Sequence, residues 1–173
     1  MADYERNHVS TVAEPGVTLS SFSRLKGLST YVIECHHAHT PCIGFAFFQK
    51  HKRLREEFKS LSKVEIGNLA RSGKEVSEEY DLPLFIFLGD TTLEVFSPSR
   101  PISVLRYIDA GWKLIFVECS FISPDEIGNS IRTGHMHWAR LKPDVLAHPD
   151  VTFVLIIFSR WYKKEAVDKL FDQ

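Results

Sequence analysis

No apolar run in these 173 residues approaches the roughly 20 that a membrane-spanning helix needs, so an integral helical membrane protein is not expected. Cysteine is scarce: Cys35, Cys42 and Cys119 are odd in number and have no CxxC spacing. That rules against a disulfide framework and points to a reducing compartment, the cytoplasm or an organelle matrix. Met-Ala-Asp-Tyr-Glu-Arg at the N-terminus is too polar and acidic for a secretory signal. A formal net charge of -1 gives no global nucleic-acid signature, although a local basic patch is still possible. Internal repeats and low-complexity tracts are also lacking. What remains is a soluble globular composition, 44% hydrophobic and 25% charged, in a chain long enough to bury a core.

The chain divides into a loosely structured N-terminal segment, 1–29, and a folded region, 30–173. Tyr31–Cys35 is a β-prone run that ends in His36-His37-Ala38-His39, and Ile43–Phe48 is a second one after a Thr-Pro-Cys turn. Leu54, Phe58 and Leu61 lie at i, i+4, i+7 and predict a helix; a shorter one around Ile66 and Leu69 stops at Gly73. Leu84–Leu88 is a buried strand that runs into Gly89-Asp90-Thr91-Thr92. Val104, Leu105 and Ile108 share a helical face, and 113–117 forms another strand, delivering Glu118-Cys119-Ser120-Phe121. Ser123-Pro124-Asp125-Glu126 opens a helix, with acids against its dipole, and Gly134 caps its far end. A helix from His137 or Trp138 ends by His148-Pro149. Thr152–Phe158 is apolar on both faces, which predicts a central strand, and a last helix carries Val167, Leu170 and Phe171. Strands alternating with helices predict an α/β layered domain.

Polar clusters collect at the strand ends, where α/β sheets hold ligands. His36, His37 and His39 follow the first strand, Asp90 the third and Glu118 the fourth; His135 and His137 follow Gly134. Imidazole with carboxylate is the usual donor set for zinc. Each residue also has a plainer explanation. Asp90 can cap a helix starting near Thr91, Glu118 can orient a loop by hydrogen bonds, His137 can pack beside Trp138, and Cys119 can be core. His36 and His37 alternate across a strand, so at most one of them faces a given site. Lys50, Lys52, Arg53 and Arg55 form the one dense basic run. A solvated helix face explains it most simply; contact with a nucleic-acid backbone is the alternative.

These pieces, in this order, resemble the tRNase Z (ribonuclease Z) branch of the metallo-β-lactamase superfamily, in its carboxyl-terminal half. Glu34-Cys35-His36-His37 with Pro41-Cys42-Ile43-Gly44-Phe45 looks like the family's histidine motif and the Gly-aromatic strand after it. Leu54–Phe58 resembles the next helix. Phe87-Leu88-Gly89-Asp90-Thr91-Thr92 looks like the Gly-Asp-Thr motif, Glu118–Phe121 like Glu-x-Thr-Phe, Gly134–Trp138 like the loop of the assisting histidine, and Ile157–Tyr162 like the closing His-Phe-Ser-x-Arg-Tyr. The resemblance implies an αββα sandwich, of which this chain carries mainly one half. It further implies a zinc-dependent phosphodiesterase or endoribonuclease acting in RNA 3′-processing, on RNA, tRNA or a phosphodiester small molecule. Asp90 would bridge two zinc ions, His37 would bind one, and His135 would protonate or stabilise the leaving oxygen.

The departures bear on activity. The family's His-x-His-x-Asp-His motif, which supplies most zinc ligands from an upstream half, is absent. Pro41 and Cys42 stand where His37-Ala38-His39 would have to continue it. Ile157 replaces the terminal metal histidine and Trp161 the arginine after it. The expectation is therefore a partial or metal-impaired enzyme, with a non-catalytic interaction or scaffold subunit of the same fold as the alternative. Because half a sandwich exposes an apolar sheet face, association with a second copy or with a complementary half is expected.

Overall fold

The computed structural model describes residues 12–20, 27–38 and 40–171. Its centre is one six-stranded mixed sheet in the sequential order β1-β2-β3-β4-β5-β6. The strands are β1 (Thr18–Ser20), β2 (Leu28–His37), β3 (Thr40–Leu54), β4 (Ser77–Phe87), β5 (Leu114–Glu118) and β6 (Thr152–Ile156). The first four pair antiparallel, and β4-β5-β6 pair parallel. β2, β4, β5 and β6 therefore point the same way and end at one edge. The helices are α1 (Lys63–Arg71), α2 (Val104–Asp109), α3 (Ile127–Thr133), α4 (Trp138–Ala147) and α5 (Lys164–Phe171). None of the helices among the described residues is long and apolar enough to cross a membrane.

Strand alternation sorts side chains into two faces. Ile33, Cys35, Ala46, Phe48, Ile86, Leu88, Ile115 and Val117 join one core with Val104, Tyr107 and Ile108 of α2 and Leu141 of α4. The opposite face carries Phe45, Phe47, Phe85, Phe87 and Phe116, linked ring to ring at centroid separations of 4.6–6.3 Å. None of these five belongs to the core cluster, and Phe87 is 40% exposed.

Three expectations need correction. The helix expected from Leu54 to Leu61 does not form: β3 continues to Leu54, and only a 3₁₀ turn, Glu56–Phe58, follows. The basic run therefore lies on a strand rather than a helix face. Residues 50–54 pair with 77–81 as an exposed two-stranded ribbon, with Arg53 on Glu78 (2.7 Å), Arg55 on Glu75 (3.2 Å) and Lys50 near Asp81 (3.9 Å). Cross-strand charge pairing overrides the helical spacing. β6 is an edge strand, not a central one: Phe153 and Leu155 pack on the core, while Val154 stands beside Phe116 on the open face. Its two apolar faces reflect that open face rather than a neighbour on each side. Finally, Thr18–Ser20, inside the segment expected to be loose, is a strand that pairs antiparallel with β2; residues 1–11 and 21–26 lie outside those described.

Gly44 sets the spacing of the sheet near the site. A methyl group there would meet Leu88 Cδ2 at 2.7 Å and the Phe87 carbonyl at 3.0 Å. Leu88 is fully buried and the Phe87 carbonyl belongs to the main chain, so neither can yield cheaply. Gly44→Ala is expected to lower unfolding stability by about 1–3 kcal/mol, the usual cost of overpacking, measured by urea titration against the parent chain.

Candidate metal centre at the sheet edge

The common edge of β2, β4 and β5 delivers three polar groups to one place. His37 is the last residue of β2, Asp90 follows β4, and Glu118 ends β5. The β2 end and the loop after β4 are stitched together: Thr92 N donates to the His36 carbonyl (2.7 Å) and His36 N to Thr91 Oγ1 (3.1 Å). A 3₁₀ turn, Leu93–Phe96, then begins, and its cap is Thr92, whose hydroxyl accepts from Glu94 N. Asp90 is therefore not a helix cap. Its carboxylate makes no hydrogen bond among the described residues.

Glu118 holds the site together. It is fully buried, and its carboxylate accepts from Thr91 N (2.7 Å), from Ser120 Oγ (2.5 Å) and from His135 Nδ1 (3.0 Å). A carboxylate out of water must find such donors. Here they come from the β4 loop, from the segment after β5 and from the loop after α3. Glu118 thus orients loops, one of the two roles open to it from sequence.

His135 arrives by way of Gly134. That glycine closes α3 in the left-handed region (φ 74°), and a methyl group on it would lie 2.0 Å from Ala38 N. The close approach presses the His135 loop against the β2–β3 turn, where Ala38 itself has φ 42°. Nε2 of His135 stands 3.2 Å from Nε2 of His37, and the two rings meet edge to face. Ligand atoms of His37, Asp90 and His135 all lie within 4.8 Å of one another. Of the histidines left open by the sequence, the structure brings His37 to this group and leaves His36 out of it; His39 and His8 lie outside the described residues.

The other candidates fall elsewhere. His137 is buried and structural: its Nδ1 caps α4 by accepting from Ala139 N, and its Nε2 donates to the Ser123 carbonyl. Burial pushes the Cys35 and Cys119 thiols up to about 12, so both act as core rather than as nucleophiles. Lys50, Lys52, Arg53 and Arg55 are not brought to the site. They sit ten or more residues along β3 from the turn at Thr40, on the order of 35 Å or more at strand rise. The metal histidine of the resembled family is replaced by Ile157, which is 48% exposed and has φ 56°. A β-branched residue is strained in that conformation, whereas histidine or asparagine tolerates it better. The Ile157 carbonyl lies 3.2 Å from Ser120 Oγ and can only share the one hydroxyl proton that Ser120 gives to Glu118.

Against known proteins, no family profile matches the chain. It is 25% identical over 133 residues to the chloroplastic tRNase Z TRZ2 of Arabidopsis thaliana, covering 76% of this chain and 36% of that protein. It is 24% identical over 126 residues to tRNase Z TRZ1 of the same plant, covering 72% of this chain and 43% of that one. The chain is distantly similar to these two tRNases Z over about three quarters of its length. It spans less than half the length of these relatives.

Gly134→Ala should separate His135 from His37, because both the clash and the left-handed backbone forbid the present loop path. The imidazole resonances of the two histidines are expected to lose their mutual nuclear Overhauser contacts. Ile157→Asn should raise stability by about 1 kcal/mol by relieving the left-handed β-branched residue, read from the urea midpoint.

Proposed function

We propose that this chain is part of a tRNase Z-like, zinc-dependent phosphodiesterase centre of the RNA 3′-processing type, built on a metallo-β-lactamase-like fold. The observation that carries the reading is the convergence of His37, Asp90 and His135 at the carboxyl ends of the strands, in a chain distantly similar to two tRNases Z. The donor set fits zinc: two imidazoles and a carboxylate, all reachable from the surface, with one histidine fixed by a buried acid. His37 and Asp90 would hold metal. When bound, zinc supplies Lewis acidity and an activated water for attack on phosphorus.

The remaining groups act on protons and position. Glu118 holds the proton of His135 on Nδ1 and so presents Nε2 to the site. In a centre completed by the missing His-x-His-x-Asp-His ligands, Nε2 would deliver a proton to the leaving oxygen when the ring is doubly protonated, with Glu118 still accepting from Nδ1. The β3–β4 ribbon, with Lys50, Lys52, Arg53 and Arg55, is the surface we assign to RNA backbone contact. Its partners Glu75, Glu78 and Asp81 hold it straight and reduce its net charge. The setting for this chemistry is the cytoplasm or an organelle matrix.

One observation favours a second reading, a non-catalytic subunit of the same fold. Ile157 has no ligating atom where the resembled family has a metal histidine. In both readings the Phe45-Phe47-Phe85-Phe87-Phe116 face needs cover, from a complementary half or a second copy.

The purified chain, supplied with zinc and either bis-p-nitrophenyl phosphate or precursor tRNA, should be inactive alone. It should gain cleavage when mixed with a polypeptide carrying His-x-His-x-Asp-His. Folded protein that stays inactive in both settings contradicts the enzymatic reading. Light scattering should give a mass above that of one 19.8 kDa chain; a monodisperse monomer contradicts the covered face.

A further inference from the structure

We infer that in this chain His135 is itself a metal ligand, completing a one-ion site with His37 and Asp90, and that Glu118 is the carboxylate behind it. The inference rests on the zinc chemistry proposed above but changes the role of the histidine. The resemblance assigns His135 to proton transfer and places two ions at the centre.

The argument begins with the two ring nitrogens. Glu118 accepts from His135 Nδ1, so the neutral ring has its proton there and a lone pair on Nε2. That lone pair looks onto Nε2 of His37 at 3.2 Å. Two imidazole nitrogens bound to one tetrahedral zinc stand about 3.3 Å apart, given bonds of about 2.0–2.1 Å. The observed spacing is that of an N–H···N hydrogen bond between the two rings, and it also matches two ligands on one ion. Without an ion His37 Nε2–H donates to His135 Nε2; Nδ1 of His37 has no partner among the described residues, so the proton can move there when an ion takes its place. The Asp90 carboxylate, free of hydrogen bonds, supplies a third donor within reach of both. A fourth position is left to solvent or to an incoming ligand.

The surroundings match what a bound histidine requires. Metal-ligating imidazoles usually donate their second N–H to a carboxylate, which fixes the ring and raises its basicity. Glu118 does this for His135 while its other donors, Thr91 N and Ser120 Oγ, keep it buried and in place. Ile157 gives a reason for the changed role: without a histidine there, the donors that remain can close around one ion and not two. A His135 that ligates through Nε2 cannot also carry a proton on that atom, so the one-ion site and the proton donor exclude each other.

The test uses the full chain, stripped with chelator and titrated with zinc. One equivalent is expected to bind, and X-ray absorption at the zinc edge should count two imidazoles. A single imidazole, two bound equivalents, or no binding by folded protein overturns the inference. His135→Ala should weaken zinc binding roughly 100-fold, as much as His37→Ala, and Glu118→Gln by about 10-fold. Unchanged affinity in folded His135→Ala overturns it equally. If Glu118→Gln fails to fold, the imidazole count on the parent chain still decides. Two zinc equivalents would sink the one-ion site and leave the phosphodiesterase reading standing. One zinc with two imidazoles, and no cleavage even with the complementary half, would do the reverse.

Discussion

The carboxylate of Glu118 has no contact with water and three donors that come from three different parts of the chain. Thr91 belongs to the loop after β4, Ser120 follows β5, and His135 lies beyond α3. An ionised group in that position is tolerable only while all of them remain in place, because leaving a buried charge unmatched costs far more than any one hydrogen bond gains. The strand ends, the Gly-Asp-Thr loop and the histidine loop are consequently positioned as one unit. His37, Asp90 and His135 are all partly exposed beside the buried carboxylate.

Sequence legibility followed locality. The strand that runs into Gly89-Asp90, the acid at the end of β5 and the glycine before His135 are visible because each is a short pattern with a direct backbone consequence. What depends on distant partners was not visible. Lys50 to Arg55 looked helical because the residues that pair with the end of β3, Ser77 to Asp81, are some 25 positions away. β6 looked central because its outward side chains are apolar; only the sheet order shows it at the edge, beside an open phenylalanine face. The choice of His37 over His36 depends on a turn with Ala38 in the left-handed region and on Gly134 packed against it, neither of which spacing alone reveals. Glu118 could be suspected, but its partner Thr91 N is a main-chain group and leaves no side-chain signature.

Among the described residues the fold brings three possible metal donors together, His37, Asp90 and His135. Ile157 holds a left-handed backbone that a β-branched residue rarely adopts, and its carbonyl lies 3.2 Å from Ser120 Oγ. On the other side of the sheet the phenylalanine face stays half-exposed among the described residues, Phe87 most of all, at 40%.

The central claim is that His37, Asp90 and His135 form a single site held in register by Glu118. Anomalous diffraction at the zinc edge from a zinc-soaked crystal addresses it most directly. The account predicts one peak within bonding distance of His37 Nε2, His135 Nε2 and the Asp90 carboxylate, with Glu118 still on His135 Nδ1. No peak at full soak, or a peak that His135 does not touch, would contradict it.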